Sequence, residues 1–274
     1  MKLIKQLNSL QEELSTLGNK QIGYVPTMGA LHEGHLSLVD YAHEKSDYVV
    51  VSIFINPTQF NNKNDLEQYP INLENDVLIL KDKKVDLVFC PDYNELYASE
   101  SRIKVDLRGL DKVLEGEKRH GHFEGVVRVL NLFFRLIHPN FAFFGEKDYQ
   151  QFLIVDQLAK QYFPNIKIIP CPTKRESDGL AMSSRNIRLR PLERKVAAKI
   201  YSALLYCKQN FDKYDIRELE AYCFKMISEF SDPEYFEIRN SNDLSKVSSN
   251  SNSSRAFVAT KLSDVRLIDN IAIN

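Results

Sequence analysis

The chain has 274 residues, of which 43% are hydrophobic and 27% charged, and its formal net charge is −1. That length accommodates one large or two modest domains with real cores, and the near-neutral balance argues against a broad basic surface for nucleic acid. The longest apolar stretch, Val126 to Ile137, is interrupted by Arg128, Asn131 and Arg135, so no membrane span is expected.

The N-terminus is too polar for a signal peptide, and the four cysteines (90, 171, 207 and 223) are far apart with no C-x-x-C. They read as reduced packing thiols of a cytoplasmic protein. Residues 3–18 form an amphipathic pattern (Leu3, Leu7, Leu10, Leu14, Leu17) closed by Gly18, which predicts a first helix. Ile22 to Val25 then predicts a buried strand that Pro26 should end, since proline has no N–H for a ladder. Gly29 permits a tight turn, and a helical pattern begins around His32. Strand, glycine turn and helix, with His32 and His35 in the first turn, make an arrangement that suits a phosphate, because a helix N-terminus offers unpaired N–H groups; the pair also reads as polar surface or as satisfied core residues.

Other motif readings of this segment fail. Gly29 to Gly34 has Walker spacing, but His35-Leu36 replaces the Lys-Ser/Thr pair. His32 and His35 are three apart, whereas a zincin helix needs four, and no G-x-G-x-x-G occurs in the chain.

Tyr48 to Phe54 is a run rich in β-branched residues, as in a strand buried on both faces of a parallel sheet. It leads into Asn56-Pro57-Thr58-Gln59, at the strand end where open α/β sheets bind ligands; Asn56 and Gln59 read as ligand contacts or as turn formers. A helix at 73–83, a strand at 85–89, a shorter strand at 103–107, an apolar helix from Val126 to Ile137 and a strand at 142–144 follow. Gly145-Glu146-Lys147-Asp148 marks another strand-to-helix junction, with Gln150-Gln151 in the next helix and a last strand at 166–170. This alternation predicts a doubly wound α/β domain over residues 1–173. Residues 174–274 read as a smaller α+β domain, with helices at 192–210 and 215–230 and strands near 234–239, 255–261 and 264–269. The Ser/Asn-dense stretch Asn240 to Ser254 predicts a surface loop.

Four patches, 27–35, 56–59, 145–151 and 182–186, carry the chemistry. Lys147 is a candidate phosphate ligand, and Ser183, Ser184 and Arg185 offer two hydroxyls and a permanent cation for spread negative charge. His122, after Arg119, reads equally as a site residue or as a helix cap. No nucleophile dyad is present, so the set points to positioning and charge stabilisation around a nucleotide, with attack on the α-phosphorus of ATP.

His32-Glu33-Gly34-His35 resembles the HIGH signature, and Met182-Ser183-Ser184-Arg185 a KMSKS-like loop, of the nucleotidylyltransferase and class I aminoacyl-tRNA synthetase superfamily. More closely, segments 26–35, 51–60 (VSIFINPTQF), 121–125, 144–151 (FGEKDYQQ), 178–186 (DGLAMSSRN) and 266–270 (RLIDN) resemble the pantoate–β-alanine ligase family. The resemblance implies a Rossmann-like, HIGH-type domain with a smaller lid domain. It also implies ATP-dependent condensation of pantoate with β-alanine through pantoyl adenylate, releasing pyrophosphate and AMP. It assigns Met28, Gly29, Ala30, Leu31, His32, Glu33, Gly34, His35, Gly145, Glu146, Lys147, Asp148, Lys174 and Met182 to Arg185 to ATP. His32, His35, Lys147, Ser183, Ser184 and Arg185 would be catalytic, with His35 the proton donor. Gln59, Gln151, Asn56 and His122 would serve pantoate and β-alanine, magnesium would accompany ATP, and Asp76 is the candidate metal residue. A cytoplasmic homodimer without nucleic-acid or membrane partners is expected. Ile71, Asn75, His120, Arg128 and Leu132 depart from the family pattern. Another adenylyltransferase of the superfamily, or an inactive nucleotide-binding sensor, are the competing functions.

Overall fold

A computed structural model describes residues 1–98, 103–247 and 253–274. The chain divides into two compact units, one of residues 1–145 and 151–172, the other of residues 146–150 and 173–274.

The first unit opens with β1 (Lys2–Ile4), α1 (Leu7–Ser15), β2 (Ile22–Thr27), α2 (Glu33–Lys45) and β3 (Tyr48–Ile53). It continues with α3 (Lys63–Glu67), α4 (Leu73–Asp82), β4 (Leu87–Phe89), α5 (Tyr93–Tyr97), α6 (Leu114–Lys118), α7 (His122–Ile137) and β5 (Phe141–Gly145). α8 (Tyr149–Tyr162), whose first two residues belong to the second unit, and β6 (Lys167–Cys171) complete it. The strands form a six-stranded sheet in the order β1-β4-β3-β2-β5-β6, every pairing parallel. The order reverses between β2 and β5, so the carboxyl ends of these two strands border the crevice where doubly wound sheets hold ligands.

The alternation of side chains along β2 explains the two packed faces. Val25 lies in a core with Leu36, Val39 and Ala42 of α2, Val49 and Val51 of β3, and Leu80 of α4. Tyr24, fully buried, turns to the other face, where its ring meets Phe133 and Phe134 of α7 and its hydroxyl bonds Ser52 Oγ at 2.8 Å. Truncating Phe134 to Ala at such a site costs about 3–5 kcal/mol.

Several expectations change. Residues 2–4 are an edge strand paired to Leu87–Phe89, and the first helix ends at Ser15, before Gly18. Leu3 and Ile4 share their amphipathic spacing with the helix, which hides the strand. Pro26 lies inside β2, opposite Ser52, because β5 pairs with β2 only at Gly23 and Tyr24 and leaves that edge open to a residue without an N–H. Residues 103–107 enter no ladder among the described residues; α8 holds them instead, Gln161 bonding both backbone groups of Asp106 and the Tyr162 hydroxyl donating to the Lys104 carbonyl.

The second unit contains α9 (Pro191–Ala197), α10 (Lys199–Asn210), α11 (Ile216–Ser228) and the antiparallel sheet β7 (Asp232–Asn240), β8 (Ser254–Leu262) and β9 (Val265–Ala272) in that order. The helix expected at 192–210 is two helices meeting at Ala198. Ile200, Leu204, Leu219 and Ile227 pack onto Phe236, Val258 and Leu267 of the sheet. Of the expected loop, Asn240 ends β7, Ser254 begins β8, and residues 248–252 lie outside the described residues. All four cysteines are unbridged. No helix among the described residues is long and apolar enough to cross a membrane.

Candidate active site

In the first unit, β2 runs into a backbone turn that needs unusual angles: Gly29 has φ +81° and Ala30 φ +49°. A side chain at Gly29 would press on Asp76 and Ile53, so glycine is required there for space as well as for φ. The left-handed Ala30 is held by Asp76 of α4, whose two carboxylate oxygens accept the N–H groups of Ala30 and Leu31, each at 2.8 Å. Burial pushes the Asp76 carboxyl above its usual range, and those two N–H groups pull it partly back. Asp76, expected as the metal residue, is thus committed to the turn: it is buried with both oxygens engaged.

His32 is the N-cap of α2 and His35 is N3. His32 Nδ1 accepts from the Gly34 N–H at 3.1 Å, and His35 Nδ1 accepts from the His32 N–H at 3.4 Å. This is a capping box built from imidazoles. Since both Nδ1 atoms accept, each neutral ring carries its proton on Nε2. The ring centroids lie 4.0 Å apart, at the N-terminus of α2. Met28 sits before this turn, Leu31 is buried in it, Glu33 is exposed in the first helical turn, and Gly34 supplies the capped N–H.

The turn after β3 is equally determined. Asn56, buried, caps it: Oδ1 accepts from the Thr58 N–H, the Thr58 hydroxyl and the Tyr97 hydroxyl, while Nδ2 donates to Gln59 Oε1 at 3.2 Å and to the Gly125 carbonyl at 3.1 Å. Every polar group of the Asn56 side chain is spent on protein, so it positions Gln59. Gln59 Nε2 in turn contacts Met28 Sδ, which ties this turn to the one after β2. His122 donates from Nδ1 to the Gln59 carbonyl at 2.8 Å and accepts at Nε2 from Arg119, 3.0 Å away; Arg119 also pairs with Glu115. His122 therefore also acts on the turn, and it has the opposite tautomer from His32 and His35. Gly125 lets α7 come this close, because a Cβ there would lie 2.3 Å from the Thr58 carbonyl oxygen. Tyr97, Arg119 and Gly125 are parts of this scaffold to which the sequence assigns no role.

One of the departures touches this scaffold. Arg128 lies over the Tyr97 ring at 5.4 Å, Leu132 is buried in α7, and Ile71, Asn75 and His120 are exposed. Gly145 ends β5, and Gln151, half-buried, lies in the first turn of α8.

The second unit holds the remaining candidates: Glu146, Lys147, Asp148, Lys174, Met182, Ser183, Ser184 and Arg185. Lys147 Nζ lies 3.6 Å from Asp148, and the carbonyls of Glu146 and Lys147 both accept from the Asn270 side-chain amide. Ser183 caps a short 3-10 turn over Ser184–Arg188 by accepting the Arg185 N–H, and Ser184 is buried. The exposed Lys174 accepts through its carbonyl from the Met182 N–H, closing the loop at its base. Arg175 anchors that loop to β9 by a bidentate ion pair with buried Asp269 (2.6 and 2.9 Å), and stacks on Tyr201. Arg175 and Asp269 are 94 positions apart, and no local pattern announces their pairing.

A family model described as pantoate-beta-alanine ligase matches residues 2–272. This chain belongs to that family. As a member of the pantoate-beta-alanine ligase family it is an enzyme, a ligase. It is 46% identical over 261 residues to the pantothenate synthetase of Christiangramia forsetii, covering 93% of this chain and 92% of that one. It is 41% identical over 274 residues to that of Aquifex aeolicus, covering 98% and 96%. Among solved structures, pantothenate synthetase from Thermus thermophilus superposes with a TM-score of 0.93 at 36% identity, covering 100% of this chain and 99% of that one. The ligase from Francisella tularensis, solved with β,γ-ATP and β-alanine, gives 0.85 at 38% identity, covering 100% and 98%. The parallel sheet with its small antiparallel companion is thus the fold of this ligase family.

Proposed function

We propose that the chain joins pantoate to β-alanine on ATP, with its residues in the following roles. A pantoate carboxylate oxygen attacks the α-phosphorus, the bond from that phosphorus to the α,β-bridging oxygen breaks, and pyrophosphate leaves. The β-alanine amine then attacks the acyl carbon of the adenylate, loses a proton, and displaces AMP. His32 and His35 donate from Nε2–H to the phosphates, with His35 the donor to the departing pyrophosphate. The observation that carries this reading is the reciprocal histidine cap, which fixes both rings as Nε2–H donors at the switch point of the sheet. Met28 to Gly34 line the nucleotide, and Gln59 and Gln151 hold the pantoate hydroxyl and carboxylate. Asn56 and His122 support Gln59.

The second unit supplies Lys147 to the phosphates, Asp148 to the ribose, and Ser183, Ser184 and Arg185 to the charge that develops on the leaving group. Magnesium enters with ATP as its counter-ion. It would offset the charge on the leaving pyrophosphate, and Asp76 holds the turn that carries the nucleotide residues. The family resemblance supports a cytoplasmic homodimer.

The test is pyrophosphate release from magnesium–ATP with pantoate present and β-alanine first withheld, then added. A pantoate-dependent burst, then turnover to AMP on adding β-alanine, is expected. Silence from folded protein that binds ATP would refute the reading.

A further inference from the structure

Segment 146–150 lies in sequence between β5 and the body of α8, yet it packs with the second unit. One side chain stands out among the contacts that hold it there. Asn270, 3% exposed on β9, donates through Nδ2 to the carbonyls of Glu146 and Lys147, each at 2.9 Å. Its Oδ1 accepts from Arg255 Nη1, its own N–H bonds Asp269, and its carbonyl accepts from Arg175. Arg255 reinforces the same segment by pairing with Glu146 at 3.3 Å and lying over the Tyr149 ring at 3.8 Å. Both amide hydrogens of Asn270 are thus used on consecutive carbonyls flanking the Lys147 Cα, a geometry that fixes where the lysine stem leaves the backbone.

We propose that Asn270 is the positioning residue for Lys147, and that strand β9 sets the two phosphate-facing loops of this unit in register. Asn270 holds the Lys147 segment, and the adjacent Asp269, through Arg175, holds the loop that carries Ser183 to Arg185. This rests on the phosphate role assigned to Lys147 above. An ammonium at the end of a four-carbon stem is a point charge whose value depends on where its stem is rooted. A root displaced by about 1 Å costs on the order of 100-fold in a positioned reaction.

The test compares pantoate-dependent pyrophosphate release for Lys147→Ala, Asn270→Ala, Asn270→Asp, Asn270→Ser and the double variant Lys147→Ala/Asn270→Ala, with folding checked by circular dichroism and thermal melting. Asn270→Ala should lose roughly 10- to 100-fold in kcat/KM for ATP and leave the pantoate KM unchanged. Asn270→Asp keeps the acceptor for Arg255 but has neither donor, so it should be at least as impaired. The Ser hydroxyl retains one donor, so Asn270→Ser should fall between, and it carries the test if Asn270→Ala does not fold. In the Lys147→Ala background the second substitution should add less than about twofold, because residues acting as a unit are non-additive. An equal loss in both backgrounds, a wild-type rate for Asn270→Ala, or a near-normal Asn270→Asp would overturn this proposal alone. A wild-type rate for Lys147→Ala would overturn the role of Lys147 and this proposal with it.

Discussion

Gly125→Ala is the sharpest test of how the first unit builds its site. The added Cβ would lie 2.3 Å from the Thr58 carbonyl oxygen, 2.6 Å from its carbon and 2.7 Å from the Gln59 nitrogen. A carbon–oxygen contact needs at least about 3.3 Å, so α7 and the 56–59 turn must separate by roughly 1 Å. The obstacle is backbone, which has no rotamer to change. Overpacking of this kind costs about 1–3 kcal/mol. Separation also stretches the Asn56 bond to the Gly125 carbonyl, now 3.1 Å, for about 1 kcal/mol more. Alanine's better helix propensity returns at most about 1 kcal/mol, so the clash wins. The expected net loss is about 1–3 kcal/mol in a thermal melt, with kcat/KM for pantoate falling on the order of 100-fold because Gln59 moves. Gly18→Ala is the control: Gly18 has φ +59° with nothing near its Cβ position, so that substitution should cost stability and leave pantoate kinetics intact. A Gly125→Ala enzyme with wild-type melting and pantoate kinetics would refute the close-approach argument.

His35→Ala should depress pantoate-dependent pyrophosphate release by about 100- to 1,000-fold, while loss of the cap costs only about 1 kcal/mol in a denaturant melt; near-normal release from folded protein would remove His35 from the chemistry. Asp76→Asn leaves one acceptor for two N–H groups and turns an amide NH2 against the other, so it should destabilise by about 1–3 kcal/mol and raise the ATP KM; unchanged melting and KM would contradict the role given to Asp76. Gln151→Ala should weaken pantoate use with little change in melting, and steady-state pantoate titration decides it. Hydrogen bonds from Arg190, then from Ser263, hold the Glu193 carboxyl down at about 2, below its ordinary 4.5. A depressed folded value gives stability that is full above about 4.5 and withdrawn as pH falls from there toward 2. Melting temperature against pH should therefore fall less steeply over that window in Glu193→Gln than in the parent, and identical slopes would refute the assignment.

The strand–turn–helix after Ile22 was legible because a short apolar run, a glycine and a histidine pair occur within fifteen positions of one another. The division of labour among polar residues was not legible. A linear reading leaves Asn56 as a ligand contact or a turn former and His122 as a site residue or a helix cap, and the family resemblance offers Asp76 for a metal. In the fold their hydrogen-bonding groups meet Gln59, Gly125, Arg119, Ala30 and Leu31, partners that are mostly distant in sequence and that no local spacing encodes. Pro26 and residues 2–4 went astray for a related reason. Whether a proline fits a strand depends on which edge is open, and whether Leu3 and Ile4 join a helix or a sheet depends on the partner waiting at Leu87–Phe89.

The histidine cap on α2 bears on any attempt to make this protein more robust. Serine, threonine or aspartate at N-cap with glutamate at N3 is the stronger way to begin a helix, and a stabilisation programme would choose those residues at 32 and 35. Here the atoms that start the helix belong to the same rings proposed to meet the phosphates. Such a variant would melt later and react hardly at all, so thermal selection without an activity screen would enrich for dead enzyme at this turn.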